Sequence, residues 1–237
     1  MIELKNVYKN FGKTQVLKDV SVNFRQGECI ALIGPNGCGK TTLIKTILGM
    51  VIPTSGEVLV NDISILNQFE YRKNLGYMPQ IGRYPDMMTI GQVIEMIQKI
   101  RPTETNFDND LYNDFQIKTL ENKQMRTLSG GTTQKVSAVL AFLYNPSILI
   151  LDEPTAGLDP LASEILKEKI IKAKQEGKLI LITSHLLSEL DDLITEIVFM
   201  NDGKIEFHKK ITELKTETNE TKLSKAIAKI LKNTTHD

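Results

Sequence analysis

The sequence predicts an α/β fold with a mixed central sheet that has an antiparallel part, and a mostly helical subdomain inserted in it. Three observations carry this reading. Continuous apolar runs at Cys29–Ile33, Ile148–Leu151 and Leu179–Ile182 suit strands buried on both faces of a parallel sheet. The last two are separated by a helical pattern, the wiring of a βαβ unit. Between the Gln80 region and Ser129 the strand signals stop, and Ile90, Val93, Ile94 and Ile97 recur at helical spacing behind Thr89, a capping residue type.

Taken in order, Val20, Val22 and Phe24 alternate with polar residues, as a half-buried strand at an antiparallel edge does. The stretch from Pro102 to Asp110 is polar enough for a loop. Ile197 to Met200, Asn201-Asp-Gly203 and Lys204 to Phe207 read as strand, turn and strand, because the Asp-Gly pair accepts positive φ. After Leu214 the chain turns rich in Lys, Thr and Glu, and Leu223, Ile227, Ile230 and Leu231 would line one face of a helix. Packing of that face onto the core is favoured over docking to a partner. The expected organisation is one domain over residues 1–214, its helical part at about 86–145, and a C-terminal helical tail at 215–237.

Composition excludes several classes. With 237 residues, 41% of them hydrophobic, the chain can bury a sizeable core. Its 29 basic and 29 acidic residues cancel, so the electrostatic footprint of a nucleic-acid binder is missing. No apolar run approaches the ~20 residues needed to cross a bilayer, and the first residues lack a signal-peptide layout, so a cytoplasmic location is expected. The two cysteines, Cys29 and Cys38, have no metal-ligand spacing and read as free or buried thiols.

Gly34-Pro-Asn-Gly-Cys-Gly-Lys-Thr41 follows a buried strand and opens a helical pattern through Leu43, Ile44, Ile47 and Leu48. Glycines there let backbone N–H groups turn toward phosphate oxygens, and the helix N-terminus adds its positive dipole end. Lys40 would reach the β- and γ-phosphates and Thr41 would place its hydroxyl on Mg²⁺. The predicted nucleotide-binding stretch is Gly34, Pro35, Asn36, Gly37, Cys38, Gly39, Lys40, Thr41 and Thr42. A second element, Ile148-Leu-Ile-Leu-Asp-Glu153, is an apolar strand ending in two carboxylates. Alternation along the strand separates them, so that Asp152 would hold Mg²⁺ while Glu153 acts on the attacking water as general base. Helix capping by the Asp-Glu pair is the competing reading.

Leu128-Ser-Gly-Gly131, followed by Thr132-Thr-Gln134 and the apolar Val136 to Leu143, resembles the signature motif of the ABC (ATP-binding cassette) family of P-loop NTPases. Ser129 can cap a helix starting at Gly130, whose uncovered N–H groups form a second anion site. Further landmarks of the family follow in order: Gln80 after Gly76-Tyr-Met-Pro, the D-loop Ala156-Gly-Leu-Asp159, and His185 after the strand Leu179 to Thr183. The resemblance covers about residues 1 to 210.

It implies an ATPase of the ABC type that dimerises, most simply as a homodimer, with Ser129, Gly130, Gly131 and Asp159 of one protomer closing over ATP held by the other. It implies that Gln80 joins the Mg²⁺ and water shell and senses a separate multi-span membrane permease, and that His185 contacts the γ-phosphate. Phe11 resembles the aromatic that stacks on adenine, with Tyr8 as substitute and core packing as the plain alternative. The chain departs from the family at Thr132, where glutamine is usual. His208 and His236 lack motif context and read as surface residues.

The cassette would sit on the inner face of the membrane through its permease. The segment Gly76 to Pro85, the Thr-containing signature and the single-cassette length are similar to the ATPase of nitrous-oxide-reductase maturation transporters, with another ABC-2-like transporter as the alternative. A soluble assembly-scaffold ATPase is the reading from a different class.

Overall fold

In the computed structural model, residues 1–101, 106–184 and 193–234 are described. The chain divides into two compact units, Met1–Arg72 with Leu179–Asp237, and Lys73–Lys178. The second holds the expected helical segment together with two strands and a further helix.

In the first unit, β1 (Ile2–Phe11) and β2 (Thr14–Phe24) form an antiparallel hairpin, and β4 (Ser55–Val60) and β5 (Ile63–Ser64) extend it in the order β2-β1-β4-β5. Val20, Val22 and Phe24 therefore do lie on an edge strand. The pairing of β1 shifts register between Leu4 and Val7, where Asn6 takes a φ of 46°. That irregularity returns Val7 to the buried face and interrupts strict alternation. A second sheet has β3 (Cys29–Ile33) parallel to both β8 (Leu179–Thr183) and β9 (Glu196–Asn201), with β10 (Lys204–Lys210) antiparallel to β9. This mixed sheet is the predicted one. All five residues of β3 and of β8 are buried, which is why neither strand alternates.

Helix α1 (Lys40–Ile47) follows β3 and buries Leu43, Ile44 and Ile47. At the end of the chain, α6 (Ile211–Thr218) and α7 (Leu223–Thr234) pack against each other, with Leu223, Ala226 and Ile227 buried. Of that apolar face Leu223 and Ile227 are buried, while Ile230 is partly exposed. Helix α6 runs through residue 214, so the change in composition there is not an element boundary. His208 is no isolated surface residue: its Nε2 lies 2.6 Å from Glu196 Oε2 and its ring meets Phe24 edge-on. His236 lies outside the described residues.

In the second unit, β6 (Leu75–Met78) runs parallel to β7 (Ile148–Asp152), and α4 (Gly130–Phe142) packs on β6. The predicted helix is α2 (Ile90–Ile100), entered through a full capping box: Thr89 Oγ1 accepts from Gln92 N, and Gln92 Oε1 accepts from Thr89 N. Short α3 (Asp110–Asp114) and long α5 (Pro160–Gln175) complete the unit. The expected loop ends where α3 begins, and residues 102–105 lie outside the described residues.

Lys169 of α5 is 7% exposed, with its ammonium 2.5 Å from Asp108 and 2.8 Å from Asp110. Lys172 lies 2.7 Å from the same Asp110 carboxylate. Hydrogen bonds from Lys169 and Lys172 hold the Asp110 carboxyl down to about 2 from its ordinary 3.8. Lys169→Ala should cost about 3 kcal/mol or more in denaturant unfolding, because two carboxylates lose their buried cation. Since the Asp110 pKa is lowered on folding, its stabilisation is complete above the unfolded value of 3.8 and fades as pH falls toward about 2. Asp110→Asn should lose that part of the acid sensitivity, read from denaturant midpoints across this window.

Candidate nucleotide site

The first unit supplies the glycine-rich loop. Gly34 has a φ of 151°, and a Cβ there would lie 2.1 Å from the Met200 carbonyl oxygen, so only glycine lets the chain leave β3 beneath β9. Gly37 and Gly39 are left-handed too, and Gly39 stands at the N-cap of α1 without a side-chain cap. No acidic residue occupies the first turn of α1, so its N–H groups remain available to an anion. Outside the loop, Gly203 N donates to Cys38 O at 3.0 Å and Lys18 N to Gly203 O at 2.8 Å, which fastens the loop to the β9–β10 turn.

Lys40 Nζ donates to Gly34 O at 2.7 Å and Pro35 O at 3.0 Å, holding the ammonium over the loop rather than out in solvent. Thr41 is exposed and Thr42 partly so. Cys38 and Cys29 are buried and form no disulfide, so at position 38 only the backbone can meet a ligand. Phe11 ends β1 with half its surface exposed and the Lys9 ammonium 4.9 Å from its ring centroid. It is not a core residue, and an exposed aromatic face is what stacking requires.

The second unit carries the acidic and signature residues. Asp152 ends β7 buried, and Glu153 follows with a φ of 52°, a left-handed backbone that L side chains seldom take. This turn ends the strand between the two adjacent carboxylates. Burial, and then the charge of Asp152, push the Tyr77 phenol up to about 12. Gln80 is exposed after β6.

Ser129 is the N-cap of α4, its Oγ accepting from Thr132 N at 3.2 Å and lying 2.9 Å from Thr132 Oγ1. The threonine that replaces the usual glutamine is thus part of the cap. No acidic residue lies in the first turn. A Cβ on Gly131 would lie 2.6 Å from Gly157 O, so the signature and the D-loop need a glycine to pass each other. Asp159 caps α5 through Ala162 N at 2.9 Å and holds Lys135 at 2.7 Å. His185 lies outside the described residues. Sequence reasoning missed Gln134, a buried amide near the carbonyls of both Gln80 and Glu153. In the sequence it sits between Thr133 and Lys135 in a polar run, so nothing there marked it.

A parallel strand, a glycine turn that admits no Cβ and an uncapped helix start carrying a lysine define a P-loop protein that binds nucleoside triphosphates. The chain belongs to the ABC transporter family, whose model matches residues 17–156, more than half of it. It is 33% identical over 219 residues to the ABC transporter ATP-binding protein YtrB of Bacillus subtilis, covering 92% of this chain and 74% of that protein. A solved ATP-binding subunit of an ABC transporter superposes with a TM-score of 0.88 at 26% identity, covering 98% of this chain and 99% of the other. A dimeric post-hydrolysis cassette bound to ADP and Pi, MJ0796, gives 0.80 at 25% identity over 89% and 99%. The chain is accordingly an ATPase of the ABC type, its hydrolysis coupled to transport.

Ser129→Ala should cost about 1 kcal/mol in thermal or denaturant unfolding through loss of the cap. Gly131→Ala should cost more, because neither backbone can yield to the added methyl. Equal stability of the two variants would remove the close-approach explanation.

Proposed function

We propose that the protein is the ATP-hydrolysing half of a transporter, working as a homodimer that encloses two ATP molecules and drives a separate multi-span membrane subunit. The observation that carries this is the presence in one chain of two helix starts built on glycine and free of acidic first-turn residues, at Gly39–Lys40 and at Ser129-Gly130-Gly131. In the dimer each ATP meets the P-loop of one protomer and the signature of the other.

In this reading Phe11 stacks on the adenine, and residues 34–42 enclose the phosphates. Lys40 exchanges its loop carbonyls for phosphate oxygens and neutralises charge as it builds on the γ-phosphate. Glu153 takes the proton of the attacking water, and Gln80 and His185 orient that water and the γ-phosphate. The Thr41 hydroxyl and the Asp152 carboxylate, with Gln80, are hard oxygen donors that fit magnesium, which would supply charge neutralisation when bound. Among the described residues no group of three His, Cys, Asp or Glu could hold a metal; phosphate oxygens and water would complete the shell of a magnesium ion held by these few donors. Ser129, Gly130, Gly131 and Asp159 act in trans on the partner's nucleotide.

Among the described residues no helix is long and apolar enough to cross a membrane; in this reading the separate subunit supplies the membrane path. The similarity of Gly76 to Pro85 and of the Thr132 signature to nitrous-oxide-reductase maturation ATPases supports that pathway as the cargo assignment.

Glu153→Gln should bind ATP normally, accumulate as dimer on size exclusion with ATP, and lose turnover by about a hundredfold or more. Wild-type turnover in that variant would defeat the base assignment. Tagged Glu153→Gln with ATP should bring down a multi-span protein from solubilised host membranes. Recovery of soluble proteins alone would favour an assembly scaffold, and a permease not tied to nitrous oxide reductase would overturn the pathway.

A further inference from the structure

Helix α4 does more than present the signature. Its first buried residue is Gln134, 4% exposed, on a helix whose other buried side chains include Val136, Ala138, Val139 and Phe142. An amide buried among such neighbours is costly unless its donors are used. Nε2 lies 3.4 Å from the carbonyl oxygen of Glu153 and 3.5 Å from that of Gln80, long contacts that one amide nitrogen can serve together because it carries two hydrogens. Glu153 is the residue whose backbone is left-handed, so its carbonyl is held at the point where the chain departs from ordinary strand geometry.

A second tie lies one helical turn further on. Tyr84 OH donates to Ser137 Oγ at 2.9 Å, and Ser137 Oγ donates to Thr133 O at 3.1 Å. The intervening loop passes so close that a Cβ on Gly82 would lie 2.3 Å from Ser137 Oγ.

We propose that Gln134 is a positioning residue for hydrolysis: its amide fixes the backbone from which Glu153 presents its carboxylate and joins it to the loop bearing Gln80. The inference rests on Glu153 being the general base. Gln134 acts through the Glu153 main chain. Tyr84 and Ser137 keep the same loop against α4, so that displacement of the loop after Gln80 is felt at Glu153.

The test is ATP turnover by the purified full chain. Gln134→Met keeps length and volume and removes both donors. It should lower kcat about tenfold or more while the ATP Kd and the thermal midpoint stay at wild-type values, as expected for a misplaced catalytic group. Tyr84→Phe, a milder change that keeps the ring, should lower kcat a few-fold without altering Kd, and the two effects should not multiply in the double variant. Wild-type kcat in Gln134→Met overturns the proposal. So does a fall in kcat accompanied by a rise in Kd and a lower thermal midpoint, which marks a packing residue. Should Gln134→Met not fold, an unchanged kcat in Tyr84→Phe overturns it instead. Glu153→Gln assayed alongside separates the two assignments: full turnover there removes the base, whereas its inactivity beside a fully active Gln134→Met removes only the role of Gln134.

Discussion

For a helix start to bind an anion, its first N–H groups must be left without partners and nothing may crowd them. Around the P-loop the first unit is built to meet that condition. The loop cannot be shaped by side chains, because a Cβ on Gly34 would collide with the Met200 carbonyl. It is shaped from below and outside by β9 and by the Gly203 turn that fastens Cys38. The fully buried β3 gives that arrangement a rigid base, each of its larger side chains contributing roughly 1.5–3 kcal/mol of burial. Lys40 then satisfies two loop carbonyls that would otherwise face the same space as the N–H groups.

The signature end solves a related problem differently. There Ser129 does cap the helix, and Thr132 adds a second hydroxyl to that cap. Only part of the helix start is covered, since one oxygen satisfies one N–H. The remaining groups lie beside exposed Gly130 and the tight Gly131–Gly157 approach. A glutamine at 132 could not make the same short hydroxyl contact. The substitution therefore changes how the cap is held, with the helix itself intact.

How legible each element was follows from its physics. Strands β3, β7 and β8 were readable because burial on both faces writes an unbroken apolar run. Strand β1 was not, since the irregularity at Asn6 interrupts its alternation, and β6 has only four residues, one of them Gly76. The β4–β5 hairpin opens with Ser-Gly-Glu and ends in a two-residue strand, although Asn61 and Asp62, at φ 51° and 63°, did carry a turn signal. In the site, residues tied to a spacing pattern were readable. Phe11 was not settled by sequence, because a lone aromatic in a strand looks alike in core and on surface. Gln134 was invisible for a deeper reason: its partners are main-chain carbonyls 19 and 54 residues away, and main-chain partners leave no trace in residue types.

Asp159 shows how one residue can serve the fold and also the nucleotide role proposed for it. A carboxylate bordering a triphosphate, as proposed for the dimer, would repel it if its charge stood alone. Here one oxygen accepts from Ala162 N at the start of α5 and the other holds Lys135 of the signature helix. Lys135, and then that backbone donor, lower the Asp159 pKa, so the group stays ionised and its charge is locally offset. Lys135 also joins α4 to the D-loop, and the Gly131–Gly157 approach joins them again nearby. Signature and D-loop are thereby fixed to each other, so that in the proposed dimer a nucleotide engaging one of them would meet the other in register.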